Sequence, residues 1–279
     1  MKASDILEHF LSRAHWIDRD TTVDHIIAGE PNANVDRCLV TWMPSFEVLR
    51  LMVDRGFRLL VCHEPTFWNH DDDRPVPDDP LGQAKIAYIQ DHGLIIIRIH
   101  DCWDRWPEVG IPWAWAEFLG LGNQPKQIST DGYQHRYDID PIPVGVFTRH
   151  VAERCKEIKE PMVQLTGDPY QIISRIGIGT GCGCDIPMYQ SMDCDCSIVC
   201  DDGSCYWQGI QKAEDGGHPV IRVNHGTSEE PGMLTLTKYI NSHLDGLLAE
   251  HLPHGSTFQL VGTGIGLNLA GTDGDLSNL

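Results

Sequence analysis

Three apolar runs in this sequence end in an imidazole, and each is followed by a carboxylate. Residues 57–62 lead into His63 and Glu64. Residues 94–99 lead into His100, Asp101 and Asp104, and residues 219–223 into Asn224, His225 and Glu229. Imidazole nitrogen and carboxylate oxygen together form a ligand set for Zn²⁺, Fe²⁺, Mn²⁺ or Ni²⁺. One histidine after a strand means little. Three, each with an acid one to four residues on, point to a shared metal site. His225 and Glu229 sit where a strand turns into a helix, with an N-cap expected at Thr227 or Ser228 and Glu229 in the first turn. An acid there also answers the helix dipole with no metal present. His63 and Glu64 are adjacent, and a regular strand would point them apart. Pro65 breaks the strand, so the pair either serves two neighbouring ions or straddles one. In the third group Asp101 and Asp104 compete for the ligand role.

Other residues carry weaker signals. Cys182, Cys184, Cys194, Cys196, Cys200 and Cys205 crowd one stretch, and C-x-C occurs twice. That spacing sets two sulfurs on one face of a strand, whereas structural zinc sites favour C-x2-C knuckles. These thiols are expected to be reduced and to hold no metal. The alternating glycines of 177–183 lack the third glycine of a dinucleotide fingerprint and the lysine of a phosphate loop. They read as a tight packing turn, with an oxyanion cradle as the other use. Trp103, Trp106, Trp113 and Trp115 are expected to pack the wall of the site or a subunit contact.

The elements that must position these residues follow an α/β pattern. Strands are expected at 38–43, 57–62 and 94–99, with helices through 45–55 and 81–92 between them. Strand, helix, strand in that order forms a parallel sheet. The segment 69–80 holds five aspartates and three prolines and reads as an exposed loop edging the site. Residues 113–121 look helical, and the polar stretch 122–141 is the expected boundary. The pattern then restarts, with strands at 143–147, 162–165, 175–178, 197–200 and 219–223. Helices are expected at 151–158, 206–215 and 229–248, and a closing strand at 257–261. The expectation is two similar α/β domains, 1–124 and 125–279, with the site in the cleft between them and the C-terminal segment able to pack back on the first.

Composition narrows the partners. With 21 basic and 40 acidic side chains, the formal charge is −19, which repels nucleic-acid backbones and anionic lipid. An anionic substrate would need a local positive centre such as a bound cation. No apolar run approaches the ~18 residues of a membrane helix. The acid-containing N-terminus does not read as a signal peptide. A cytoplasmic protein is expected, without nucleic-acid or membrane partners.

Over roughly residues 36–230 the chain resembles the NGG-interacting factor three-like family, also described as dinuclear metal centre hexameric proteins. Many of its members are labelled GTP cyclohydrolase 1 type 2 homologues. Four blocks in order carry the resemblance. V-C-H-E-P at 61–65 stands where the family has a strand and H-H-P. H-D-C-W-D at 100–104 stands for H-T-N-L-D, with Gly110 and L-G-L at 119–121 after it. The glycine-rich turn at 175–183 and N-H-G-T-S-E at 224–229 are the other two. The resemblance implies two divalent ions per subunit held by His63, Glu64, Asp104, His225 and Glu229, with Glu229 bridging and Asp104, not Asp101, as the ligand. The metal itself (Zn, Fe, Mn, Ni or Mg) is left open. His100 is implied to lie near the metals and move protons. Glu64 replaces a family histidine, which favours harder ions. Cys102 and Asn224 depart from the family's asparagine and glycine. A homohexamer is implied, and two functions: a metal-dependent hydrolase of a small molecule such as a purine nucleotide, amidine, amide or phosphate, or a non-catalytic metal-binding protein that docks partners.

Overall fold

The computed structural model describes residues 1–73 and 78–258. It is a mixed α/β structure with two sheets. In chain order the elements of the first sheet and its cover are α1 (Ala3–Leu11), β1 (Ile26–Ala28), β2 (Arg37–Thr41), α2 (Phe46–Asp54), β3 (Leu59–Cys62), α3 (Pro80–Asp91), β4 (Ile95–Arg98), α4 (Asp101–Asp104) and α5 (Ile111–Phe118). The second sheet and its helices comprise β5 (Gln127–Ile128), β6 (His135–Pro143), α6 (Val144–Lys156), β7 (Gln164–Thr166), β8 (Ile172–Ile178), α7 (Ile186–Ser191), β9 (Cys196–Cys200), α8 (Lys212–Asp215) and β10 (Val220–Val223). The chain then runs through α9 (His225–His243) to β11 (Leu248–His251).

The first sheet has the order β1-β4-β3-β2-β11, and only the edge strand β1 runs antiparallel to its neighbour. Both faces are covered, which is why β3 and β4 are buried along their whole length and read as unbroken apolar runs. The second sheet, β5-β6-β8-β9-β10-β7, is parallel only through β8, β9 and β10. β11 pairs in register with β2, so the end of the described chain completes the sheet that residue 26 began.

Helix α9 links the two halves. It leaves β10 of the second sheet, and its later turns bury Met233, Leu236 and Ile240 in the core of the first. Trp103 reaches across from α4 and donates its indole N–H to the Gly232 carbonyl at 2.9 Å. Among the described residues no helix is long and apolar enough to cross a membrane.

Several expected elements fall differently. Residues 122–141 contain β5 and most of β6, a hairpin on the second sheet. Of residues 143–147 only Pro143 lies in a strand, as the end of β6, and the rest open α6, because Val144, Phe147, Val151 and Cys155 recur at helical spacing and bury one face. The expected helix at 206–215 is a π-turn (Tyr206–Gln211) followed by the short α8. α9 starts at His225 and stops at His243, and the closing strand is β11. Thr257 and Phe258 form no strand, and residues 259–261 lie outside the described residues. The loop at 69–80 is less exposed than its composition predicts, since Asp72 is buried and accepts from the backbone N–H groups of Thr66 and Phe67. Residues 74–77 of that loop lie outside the described residues.

Gly110 joins α4 to α5. A Cβ there would lie 2.4 Å from the Trp103 carbonyl oxygen and 2.6 Å from that of Trp106, and backbone atoms cannot rotate away. Gly110→Ala is therefore expected to destabilise the fold by about 1–3 kcal/mol, the usual cost of overpacking. Urea unfolding of the two proteins checks this, and an unchanged midpoint would show that the junction yields.

Candidate metal centre

The carboxyl ends of β3, β4 and β10 face one another across the two sheets, and each delivers its imidazole and acid. At the end of β3, the N–H groups of His63 and Glu64 both donate to the Trp42 carbonyl, at 3.1 and 2.8 Å. This pinched turn replaces the strand geometry that would point the two side chains apart. His63 Nε2 lies 3.3 Å from Asp104 Oδ1 and 3.5 Å from Glu229 Oε2. Glu64 Oε1 lies 3.3 Å from His225 Nε2. His225 Nε2 is also 3.1 Å from Glu229 Oε1. Glu229 thus stands between the two halves, one oxygen toward His63 and the other toward His225. All five residues expected as ligands converge in one place.

The imidazoles are anchored from behind. His63 Nδ1 faces the Ile99 carbonyl at 3.1 Å, and His225 Nδ1 faces Asp202 at 2.8 Å. Each contact places the proton on Nδ1 and leaves Nε2 free to act as a ligand, the arrangement typical of metal-binding histidines. His100 stacks on His63, with centroids 4.5 Å apart and planes within 16°. Its Nδ1 lies 2.9 Å from Asp101 and 3.3 Å from Asp104. Asp101 is turned away from the other ligand atoms, accepting from Thr22 Oγ1 at 2.8 Å and the Val23 N–H at 3.2 Å. Asp104, on the same short helix, faces His63.

Two groups have ligand atoms within 4.8 Å of one another: His63, His100 and Asp104, and His63, Glu64 and Glu229. These buried His, Asp and Glu groups are able to hold a metal ion. His63 Nε2 is fully buried and makes no hydrogen bond, a costly state for a polar atom without a ligand. Gly181 supplies a second sign of fit. A Cβ there would lie 2.5 Å from His225 Nε2 and 2.8 Å from Glu229 Oε1, so a glycine at φ +49° keeps the space before them clear.

The charges are strongly coupled. Burial alone would lower His100, but Asp104 and the hydrogen bond to Asp101 carry it up to about 9. Burial likewise opposes charge on His225, yet Glu229 and Glu64 hold it well above the usual imidazole range. Burial would raise Asp104, but His100 and His63 outweigh it and hold it below the ordinary carboxylate range. Protons on the imidazoles thus balance the acids where no cation does.

The chemistry-bearing side chains open onto a cleft of about 850 Å³. Among the described residues its tryptophans are Trp42 and Trp68, while Trp103, Trp106 and Trp115 are spent in the hydrophobic cores and Trp113 packs on His135. Asn69 and His70 bring the acidic loop to the cleft. Of the clustered cysteines, Cys182 and Cys205 are exposed and the other four are buried. Neither ligand group above includes a thiol.

The sequence reading passed over several supporting residues. Trp42 donates its indole N–H to Glu229 Oε2 at 2.8 Å. Asp201 accepts the His225 N–H at 2.6 Å, so the cap of α9 comes from another strand and not from Thr227 or Ser228. Asp24 accepts from the N–H groups of His100 and Cys102, at 2.6 and 3.0 Å. Arg98, fully buried, donates to the His63 carbonyl at 2.9 Å and to the His70 carbonyl, and lies 3.8 Å from Glu64. Two signals were available: a lone arginine inside L-I-I-I-R-I, and an Asp-Asp pair closing one more strand.

The family model described as Duf34/NIF3 (NGG1p interacting factor 3) matches residues 1–253. The chain belongs to the NIF3 family. Solved structures share its fold. A Bacillus cereus protein related to NIF3 superposes with a TM-score of 0.74 at 13% identity, covering 94% of this chain and 99% of that one. The Staphylococcus aureus hypothetical protein SA1388 gives 0.72 at 18%, again with 94% and 99% covered. Reduced HcgD from Methanocaldococcus jannaschii gives 0.69 at 18%, with 90% and 98% covered. None of the curated proteins compared matches the chain. The NIF3 match extends beyond the four motif blocks to α1 at one end and β11 at the other.

Asp104→Asn is expected to lower metal content sharply, while Asp101→Asn retains most of it. Trp42→Phe, which frees Glu229 from its indole donor, is expected to weaken metal binding by about 10–100-fold, as losses of outer-shell partners do. Elemental analysis and competition with a chelator check all three. Retained metal in Asp104→Asn with loss in Asp101→Asn would reverse the assignment.

Proposed function

We propose that this chain holds two divalent ions in the cleft and acts as a metal-dependent hydrolase on a small molecule. The observation that carries this reading is the open face of the cluster: Glu64, Asp104, His225 and Glu229 all line the cleft, so the site is not a closed shell. His63 and Asp104 would hold one ion and Glu64 and His225 the other, with Glu229 shared between them. Three facing carboxylates leave a single divalent ion outweighed, and a second one balances them. Such a pair supplies a water of lowered pKa and stabilises developing negative charge on oxygen. His100, oriented by Asp101 and lining the same cleft, would hold and deliver the proton to a leaving group. Glu64 gives the site an anionic oxygen where the family has an imidazole, so Mn²⁺, Fe²⁺ or Mg²⁺ should fit better than a soft ion. The family resemblance adds a homohexamer and a purine-nucleotide label for the substrate.

Metal binding should release protons, because the imidazoles must be neutral to act as ligands. Their pKa values are raised in the metal-free protein, so affinity should climb as pH rises from 6 through about 9, where His100 loses its proton, and go on climbing beyond it, because His225 is held well above the usual imidazole range. Calorimetric titration with Mn²⁺ in buffers of different ionisation enthalpy measures the protons released. Turnover on a broad hydrolase panel, lost in Asp104→Asn, is the expected outcome. A loaded protein with no exchangeable water and no turnover would favour partner docking instead.

A further inference from the structure

The cleft's chemistry reaches beyond its metal ligands and bears on what enters it. Asp131, Asp185 and Asp202 stand on its wall in addition to the acids of the cluster. Among the described residues no lysine or arginine lines it. Three basic side chains stand close by, and all three are committed to backbone carbonyls: Lys85 to Thr66 at 2.5 Å, Arg98 to His63 at 2.9 Å, and Arg105 to Asp131 at 3.1 Å and Trp16 at 2.8 Å. In the glycine-rich turn the Gly183 and Cys184 N–H groups bond within the turn, to the carbonyls of Thr180 and Gly181, so neither is free to meet an anion.

A second observation points the same way. Gln134, buried at 4% exposure, lines the cleft. Its amide nitrogen donates to the Gly183 carbonyl at 2.6 Å, and its Oε1 has no partner. Flipping the amide would set two acceptors against each other, so the unpaired atom is an acceptor that lacks a donor. The wall also carries Trp42 and Tyr133, aromatic surfaces suited to a planar or cationic group.

We infer that the cleft takes a planar, N–H-rich cation of the amidine class and disfavours polyphosphates. This rests on the cleft being a substrate site, as proposed above. It departs from the nucleotide label: carboxylates and an unpaired acceptor recognise N–H donors, while a triphosphate would find no lysine or arginine on the wall, and the protonated His100 and His225 are already paired with Asp101, Asp104, Glu64 and Glu229.

Benzamidine, benzamide and benzoate share one planar frame and differ in charge, which makes them suitable probes. Each is titrated into the full chain, metal-free and loaded with Mn²⁺, with metal content measured on the same samples. Benzamidine should bind tightest and benzoate weakest, at least ~10-fold apart at low ionic strength. GTP and inorganic tripolyphosphate should bind no better than benzoate. Asp131→Asn with Asp185→Asn removes two charges but keeps the oxygens that accept from Tyr133 and Met188. The double variant should narrow the gap several-fold at unchanged metal content. Benzoate or tripolyphosphate binding tightest in either form, no binding of benzamidine, or an unchanged gap in the variant would each overturn the inference. Failure to take up Mn²⁺ with the charge order intact would overturn the metal reading and leave this one standing.

Discussion

Glu229 is a buried carboxylate held at three points: His225 at one oxygen, His63 and the Trp42 indole at the other. Two of these partners come from the first sheet, and His225 comes from the turn after the second. A carboxylate out of water must be paired or hydrogen-bonded. That requirement fixes where the two sheets meet, carboxyl end to carboxyl end. The geometry of α9 follows, since this helix must start on β10, bring Glu229 inward on its second turn and still bury Met233 and Ile240 against the first sheet.

The surrounding residues serve the same constraint. Arg98 ties the His63 and His70 carbonyls together, so the loop that carries Glu64 is held from below. Asp24 holds the backbone of His100 and Cys102, and Asp101 holds the His100 ring. Asp201 and Asp202 do the same for His225. Each imidazole of the cluster is thus oriented by a group that does not itself face the centre. Such preorganisation keeps like-charged carboxylates close together, an arrangement that only protons or cations stabilise.

Much of the fold was legible because β3 and β4 are buried on both faces and write unbroken apolar runs. The convergence of the candidate ligands was legible because ligand-type side chains recur at strand ends. What could not be read locally was set by partners distant in sequence. The start of α9 depends on Asp201, twenty-four residues earlier. Thr227, which resembles a cap, instead bonds Glu160 at 2.8 Å. β6 hides in a polar stretch because only His135 and Tyr137 of its first residues point inward, the rest being half-buried or exposed. The four tryptophans after His100 are expected to pack the wall of the site or a subunit contact, yet the tryptophans that line the cleft are the isolated Trp42 and Trp68.

The pairing of β11 with β2 places Leu248 beside Arg37. A ribosome delivers these two strands far apart in time. Until β11 emerges, β2 has a bare edge and the first core lacks Met233, Leu236 and Ile240. Closing so long a loop is entropically costly and slow, and it must precede the contacts that reward it. Synthesis from the N-terminus therefore leaves the first sheet waiting on the second, and an unfinished chain exposes a strand edge that invites mispairing. The ligand cluster shares this schedule, because Glu229 and His225 arrive with the same late segment. The candidate ligand cluster and the first sheet are thus completed by the same stretch of chain.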